Sequence, residues 1–339
     1  MLIDEMTTER IYLPGAPSLS GLTFRSFHGE DDYPIMADVT NACYTADQTG
    51  EIVTRDWIAN FYRHLANFDP QRDLLFAEVD GRPIAYNRMT SRKLDDGTRL
   101  YASVGFVLPA WRHNGLGRAL LHHAEGRLRE IASTHPNDGP RFYQSFAADT
   151  EVACDALLHN EGYQPVRHFF EMVRPTLDDL PEAPLPDGLE VRSARPDHYR
   201  LIGAALNEAF RDHYGHSEST EADYQRWINS PQFQPHLWQV AWAGAEVAGM
   251  VLNYIDADEN AHFNRKRGWT DPICVRRPWR KRGLARALIV QSLRLLKAHG
   301  MTEAGLGVDT ENPSGALRLY EGVGFRPIKR FSSYWKPME

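Results

Sequence analysis

The chain has 339 residues, more than one hydrophobic core usually serves, so two domains are the starting expectation. Hydrophobic residues at 42% and charged residues at 24% lie near the averages for soluble globular proteins and argue against an extensively disordered or fibrous chain. The balance of 45 Asp plus Glu against 38 Lys plus Arg, a net charge of -7, disfavours non-specific nucleic-acid binding and suits a cationic partner such as an amine.

The N-terminal "MLIDEMTTERIYLPGAP" lacks a basic region followed by an apolar run, and no later stretch reaches the roughly 20 apolar residues of a membrane span. Cys43, Cys154 and Cys274 are far apart and outside any CxxC spacing, which suggests neither a disulfide framework nor a zinc site. A cytoplasmic protein without membrane contact is expected. The first element is a short strand, "LTFRSF" from Leu22, followed by helical patterning from Asp32 to Leu65. "DLLFAEVDGRPIAYNRM" then reads as two strands about a turn at Asp80-Gly81, and "YASVGFVL" as a third strand. A glycine-bearing turn leads into a helix whose Leu116, Leu120 and Leu128 recur at helical spacing.

The same order then repeats. "LPGAPSLSGLTFRS" at Leu13 to Ser26 returns as "LPEAPLPDGLEVRS" at Leu180 to Ser193, "LPAWRHNGLGRALL" from Leu108 as "RRPWRKRGLARALI" from Arg276, and "NEGYQPVRHFFEMVRP" from Asn160 as "EGVGFRPIKRFSSYWKP" from Glu321. The second copy has helical patterning from His198 to Trp227, a hairpin turn at Ala243-Gly244, a strand "TDPICVRR", and a helix with Leu284, Leu288 and Leu295 in register. Two tandem α/β domains of one fold are expected, at 1–178 and 188–339, joined by the Pro-rich 179–187.

Five of the seven residues from Arg276 to Arg282 are cations, an unusual density in an acidic chain. A strand that ends in a glycine turn and feeds a helix points free N–H groups outward, and the helix dipole adds partial positive charge, which makes an anion site. Gly283 and Gly115 permit close backbone approach to a phosphate, with Arg280, Lys281 and Arg282 adding Coulomb attraction. Neither GxGxxG nor GxxxxGK[ST] is present, so dinucleotide and P-loop recognition are not supported.

"RKRGLA" at Arg280 to Ala285 and "RHNGLG" at Arg112 to Gly117 resemble the [Q/R]xxGx[G/A] turn of the GCN5-related N-acetyltransferases, the GNAT family. In layout the chain is similar to the tandem acetyltransferases of the mycothiol synthase type. The resemblance implies two GNAT-fold domains, each a mixed, mostly antiparallel sheet flanked by helices and ending in a hairpin. It also implies acetyl-coenzyme A (CoA) as cofactor, held by Cys274, Val275, Arg280, Lys281, Arg282, Gly283, Leu284, Ala285 and Asn312 in the second copy. The matching residues of the first are Val107, Arg112, His113, Asn114, Gly115, Leu116 and Gly117. The implied activity is N-acetyl transfer to a primary amine, and the implied partner a small-molecule amine or a protein amino group, with nucleic acid and membrane excluded.

In "ENPSGALRLYEGVGF", Asn312 suits a helix N-cap and Pro313 the first helical position. Tyr320 stands where the family carries a general acid for the departing thiolate. The first copy has Leu158 and Thr150 at the places of Tyr320 and Asn312, so catalysis is expected in the second copy alone. Many relatives carry a strand glutamate as base, but Trp269 holds that place, and Tyr101 its counterpart in the first copy. Asp271, two residues on along an extended strand, is one candidate base, and Glu259, Asp212, His213 and the C-terminal carboxylate of Glu339 are others. The acceptor is expected between Phe210 to Trp227 and the final hairpin near Lys329 to Tyr334. His213 and His216 lack a third ligand, so no metal is expected. Cys274 reads as a core residue, and the basic "NRKRGW" from Asn264 either extends the phosphate site or is a solvated loop. A non-catalytic acyl-CoA-binding protein is the competing reading, and the chain is expected as monomer or homodimer.

Overall fold

A computed structural model describes residues 11–312 and 314–339, so the reading of Met1 to Arg10 and the placing of Pro313 lie outside the described residues. Packing divides the chain into two compact units, Met1–Gln164 with Ser333–Glu339 (unit 1) and Pro165–Ser332 (unit 2).

Unit 1 runs β1 (Leu22–Arg25), α1 (Asp32–Ala46), α2 (Arg55–Arg63), α3 (Pro70–Asp73), β2 (Leu74–Val79), β3 (Arg82–Lys93), β4 (Arg99–Val107), α4 (Leu116–Ser133), β5 (Arg141–Ala148) and α5 (Val152–Asn160). Strands β1 to β4 form an antiparallel meander, and β5 joins β4 in parallel. On one face α4 buries Leu116, Ala119, Leu120 and Leu128, a stripe at helical period. On the other, α1 and α2 bury Met36, Val39, Ile58 and Tyr62 against Phe76 and Tyr86.

Unit 2 follows the same order apart from lacking a counterpart of α3 and gaining α8, with β7 (Glu190–Arg192), α6 (Tyr199–Phe210), α7 (Glu221–Ile228), β8 (Gln239–Ala243), β9 (Glu246–Tyr254), α8 (Ala257–His262), β10 (Arg267–Val275), α9 (Leu284–Ala298), β11 (Glu303–Asp309) and α10 (Ala316–Glu321). Helix α9 packs Leu284, Leu288 and Leu293 on Val251, Ala304 and Leu306. Helix α6 covers the opposite face, with Ile202, Ala205 and Ala209 against Met250, Leu252 and Cys274. Both anticipated hairpins are present, β2–β3 and β8–β9, and among the described residues no helix is long and apolar enough to cross a membrane.

Packing departs from the sequence repeat at the last strands. Strand β6 (Gln164–Arg174) ends the first repeat in sequence, yet it pairs antiparallel with β11 inside unit 2 from Phe169↔Asp309 to Arg174↔Ala304. Strand β12 (Arg326–Pro337) starts in unit 2 and ends in unit 1, next to β5 in strand order. The final hairpin of each copy is therefore absent, replaced by one long strand. The Pro-rich stretch is not a free linker either: Leu177 and Ala183 are buried in the core of unit 2, and Asp178 and Glu182 pair with Lys297 and Arg294 at 2.7 and 2.9 Å. The packing boundary falls at 164/165, upstream of 179–187.

Candidate functional site

In each unit the two parallel strands pair briefly and then part. β10 meets β11 only from Arg267↔Glu303 to Trp269↔Gly305, and β4 meets β5 only from Arg99↔Arg141 to Ala102↔Gln144. Beyond that point β10 stays with β9 and β11 stays with β6, so a cleft opens between them in unit 2. The cavity there holds ≈ 720 Å³ and is lined by Cys274, Val275, Lys281, Gly283, Asn312 and Tyr320 among others.

At its head sits the glycine turn. Gly283 caps α9 in the left-handed conformation at φ 83°, and Lys281 is left-handed too at φ 61°; Gly115 and His113 repeat these angles in unit 1 at 95° and 63°. The N–H groups of the first turn of a helix have no intrahelical acceptors, and α9 directs them at the cavity. Leu284 itself is 1% exposed, so its part in the site is limited to its backbone.

Most of the positive charge is committed within the chain. The Arg280 guanidinium donates to Asp212 Oδ2 at 2.7 Å, to the Val275 carbonyl at 2.9 Å and to the Ala209 carbonyl at 3.1 Å. Arg277 also pairs with Asp212, and Arg276 with Glu208 and Glu246. Unit 1 repeats the clasp: Arg112 grips Asp47 through two bonds of 2.6 and 2.8 Å and the Val107 carbonyl at 3.0 Å. Arg280 and Arg112, expected among the cofactor-binding residues, line the two cavities but commit their guanidinium groups to these partners. They tie the turn to the helix packed beside it, and among the described residues Lys281 and Arg282 are the cations of this stretch without an ion pair. Asp212→Asn removes the shared carboxylate of two arginines and is expected to destabilise the protein by about 1–3 kcal/mol. Urea denaturation of the variant checks this, and an unchanged midpoint would remove the clasp from the account.

Tyr320 is 6% exposed, with its ring edge-on to Phe325 at 6.3 Å. Burial raises its phenol above the ordinary range, and the nearby Asp271 carboxylate and Cys274 thiol raise it further. The phenol therefore stays protonated. Asp271 lies at a bulge, where the β10–β9 register shifts between Thr270 and Ile273, so strict alternation along the strand does not place it. Burial pushes its carboxyl up to about 6 against the pull of the Gly307 N–H. A Cβ at Gly307 would lie 3.4 Å from Asp271 Oδ2, so the carboxylate reaches across to β11.

The other candidate bases fare differently. Asp212 is held far below the usual carboxylate range by Arg277 and Arg280, and Glu259 is ion-paired with Arg265. His213 lines the cavity, and burial lowers its imidazole. Asn312 is not the N-cap: α10 starts at Ala316 behind a left-handed Gly315 at φ 75°, while Asn312 Oδ1 accepts from Ser314 N at 2.9 Å in a local turn. It does line the cavity.

The unit 1 cavity, ≈ 390 Å³, differs at each working position. Leu158 lies where Tyr320 does, and at the same offset that matches Arg112 to Arg280, Ser103 stands for Asp271. Strand β4 has no bulge, and Asn114 Oδ1 already accepts from Leu116 N at 3.0 Å, occupying one N–H of the turn. Two carboxylates, Asp47 and Glu151, line it beside Arg112 and Arg118, whereas among the described residues the unit 2 lining sets Arg280, Lys281 and Arg286 against one, Asp212. The Ser103 and Asn114 differences are legible in the sequence at the offset that matches Arg112 to Arg280.

Comparison with known proteins agrees with this geometry. The acetyltransferase (GNAT) family matches residues 202–325, and a GNAT acetyltransferase domain matches residues 70–146. A mycothiol acetyltransferase of Thermomonospora curvata is 31% identical over 65% of this chain and 68% of its own length. One from Catenulispora acidiphila is 29% identical over 65% and 67%. A crystal structure of a GCN5-related N-acetyltransferase from Sphaerobacter thermophilus superposes with TM-score 0.69 at 26% identity, covering 95% of this chain and 96% of that one.

Proposed function

The chain belongs to the GNAT family and is an acetyl-CoA-dependent N-acetyltransferase, and from that premise we propose that transfer takes place in unit 2, onto the primary amine of a small molecule. The observation that carries the proposal is Tyr320 in the cavity wall with the Asp271 carboxyl, at the β10 bulge, close enough to raise its phenol, set against Leu158 and Ser103 in unit 1. The names of the relatives support a small-molecule acceptor.

The residues fit the cofactor. A Cβ at Gly283 would meet no atom within 4 Å, so the turn faces open space, and Lys281 and Arg282 flank it with no ion pair among the described residues. The α9 N–H groups and these two cations hold the pyrophosphate. Acetyl-CoA supplies the acetyl group as a thioester. Asp271 takes the proton of the acceptor ammonium, and Tyr320 delivers one to the departing sulfur. The two steps are coupled. Asp271, once protonated, no longer raises Tyr320, so the phenol becomes a stronger acid when it must give up its proton.

Asp271 works as a base only when ionised. Its carboxyl is pushed up to about 6, so turnover should rise as pH climbs through about 6 and level off above. Asp271→Asn should remove this limb and cut kcat roughly 100-fold. If the variant keeps both rate and limb against a panel of amines, Asp271 is not the base. Cys43, Cys154 and Cys274 are all free thiols, which supports a reducing, cytoplasmic setting.

A further inference from the structure

Once β10 has left it, the rest of β11 has a strand neighbour on one side only. From Leu306 to Asp309 it is paired with β6, and the last of those pairs is Phe169↔Asp309. The chain then runs into the turn that brings Asn312 and Ser314 to the cavity lining. A strand end whose other edge lacks ladder bonds frays readily unless side chains tie it down.

Two residues of β6 do so, and they lie past the end of the ladder. The His168 carbonyl accepts from Thr310 N at 3.1 Å and from Thr310 Oγ1 at 3.0 Å. Arg167 does more: its guanidinium donates to the two Asp309 oxygens at 2.9 and 2.8 Å, to Glu311 Oε2 at 2.8 Å and to the Glu311 carbonyl at 3.2 Å. Its flat face lies on the Tyr214 ring, with Cζ 4.6 Å from the centroid. Tyr214 belongs to the segment between α6 and α7, directly after Asp212 and His213, which line the same cavity. One side chain thus joins two segments of the cavity wall.

An exposed ion pair would hold little, but the Arg167 side chain is 14% exposed and that of Asp309 9%. A planar fork that bonds two acids and stacks on a ring fixes direction as well as distance, which a lysine does not. The reacting groups are held separately. Gly307, whose N–H meets the Asp271 carboxyl, is paired with Glu171 inside the ladder, and the glycine turn is fastened by Arg280 to Asp212.

Resting on the assignment of transfer to unit 2, we infer that Arg167 is a positioning residue for the acceptor amine: it holds 212–214 and 309–312 at a fixed separation and so shapes the part of the cavity that the cofactor turn does not provide. By sequence Arg167 belongs to the first repeat, in "NEGYQPVRHFF". The site of the second repeat is therefore completed by a side chain of the first.

The test is acetyl transfer by the full chain to glucosamine and to tyramine, followed by formation of the acetylated amine, beside a direct titration of acetyl-CoA. Arg167→Gln should raise KM for the amine at least roughly 10-fold, while kcat stays within about threefold and the acetyl-CoA Kd within about twofold. Arg167→Lys, which keeps the charge and loses the fork, should recover part of the loss. Tyr214→Leu removes the ring, leaves the acids paired, and should raise KM about threefold; it decides the matter if Arg167→Gln does not fold. An unchanged KM, or a rise in KM matched by an equal rise in Kd, would overturn the inference, the second because it marks general loosening. If Tyr320→Phe still transfers, or neither amine is acetylated although acetyl-CoA binds, the assignment to unit 2 fails and takes this inference with it. Loss of transfer in Tyr320→Phe beside an unmoved KM in Arg167→Gln removes Arg167 alone.

Discussion

Tyr320→Phe is expected to lower kcat by 10²- to 10⁴-fold, the usual contribution of a positioned general acid, or about 3–5 kcal/mol of barrier. The reason lies in the packing. The ring of Tyr320 is buried against Phe325 and fills its place equally well as phenylalanine, so the substitution removes one oxygen and little else. Acetyl-CoA affinity should stay within about twofold, and kcat should fall together with kcat/KM, the sign of an interaction made only in the transition state. Steady-state kinetics beside a direct binding titration separates the outcomes. A variant that turns over normally would remove Tyr320 from the chemistry, and one that also loses cofactor binding would show that the hydroxyl serves the cavity wall instead.

Gly283→Glu is expected to abolish acetyl-CoA binding, with a loss of at least 100-fold in Kd. Two effects add. The position is left-handed at φ 83°, where a side chain costs about 1–2 kcal/mol, and the new carboxylate would project into the open space before the turn and repel pyrophosphate. Gly283→Ala carries the first effect without the second, so it should bind weakly but measurably. Gly115→Glu in unit 1 should leave the titration unchanged, with one site per chain, because Asn114 already occupies the Leu116 N–H and Glu151 stands in that cavity. Two sites in the natural protein, one lost with each glycine, would show that unit 1 binds the cofactor as well.

Features written locally in the chain were legible from it. The β2–β3 and β8–β9 hairpins follow from their turn residues, and the left-handed Gly115 and Gly283 from a strand that must turn sharply into a helix. The GNAT fold followed from the repeated turn. Where two local signals competed, the weaker-looking one won: Gly315, not Asn312, starts α10. Where a partner lay far off in sequence, the chain gave no sign of it. The cations of Arg276 to Arg282 read as a phosphate site until Glu208, Asp212 and Glu246 came into contact with them. Strand exchange was hidden for the same reason, since a repeat marks common ancestry of segments and not which segments hydrogen-bond. Asp271 could be named as a candidate, but its bulge and its reach to Gly307 are tertiary features.

Strand β12 sets a timetable for manufacture. A ribosome makes an ordinary tandem protein one finished domain at a time, and the first has folded before the second is complete. Here unit 1 takes in Ser333–Glu339, so residues 11–164 are made in the first half of synthesis and wait through nearly all of the second half for their last strand. During that interval β5 offers an open backbone edge of the kind that recruits stray strands. A nascent chain stalled short of residue 333 should therefore be protease-sensitive and dependent on chaperones. For the same reason, expressing the two sequence repeats as separate pieces should give fragments that stick together instead of two working halves.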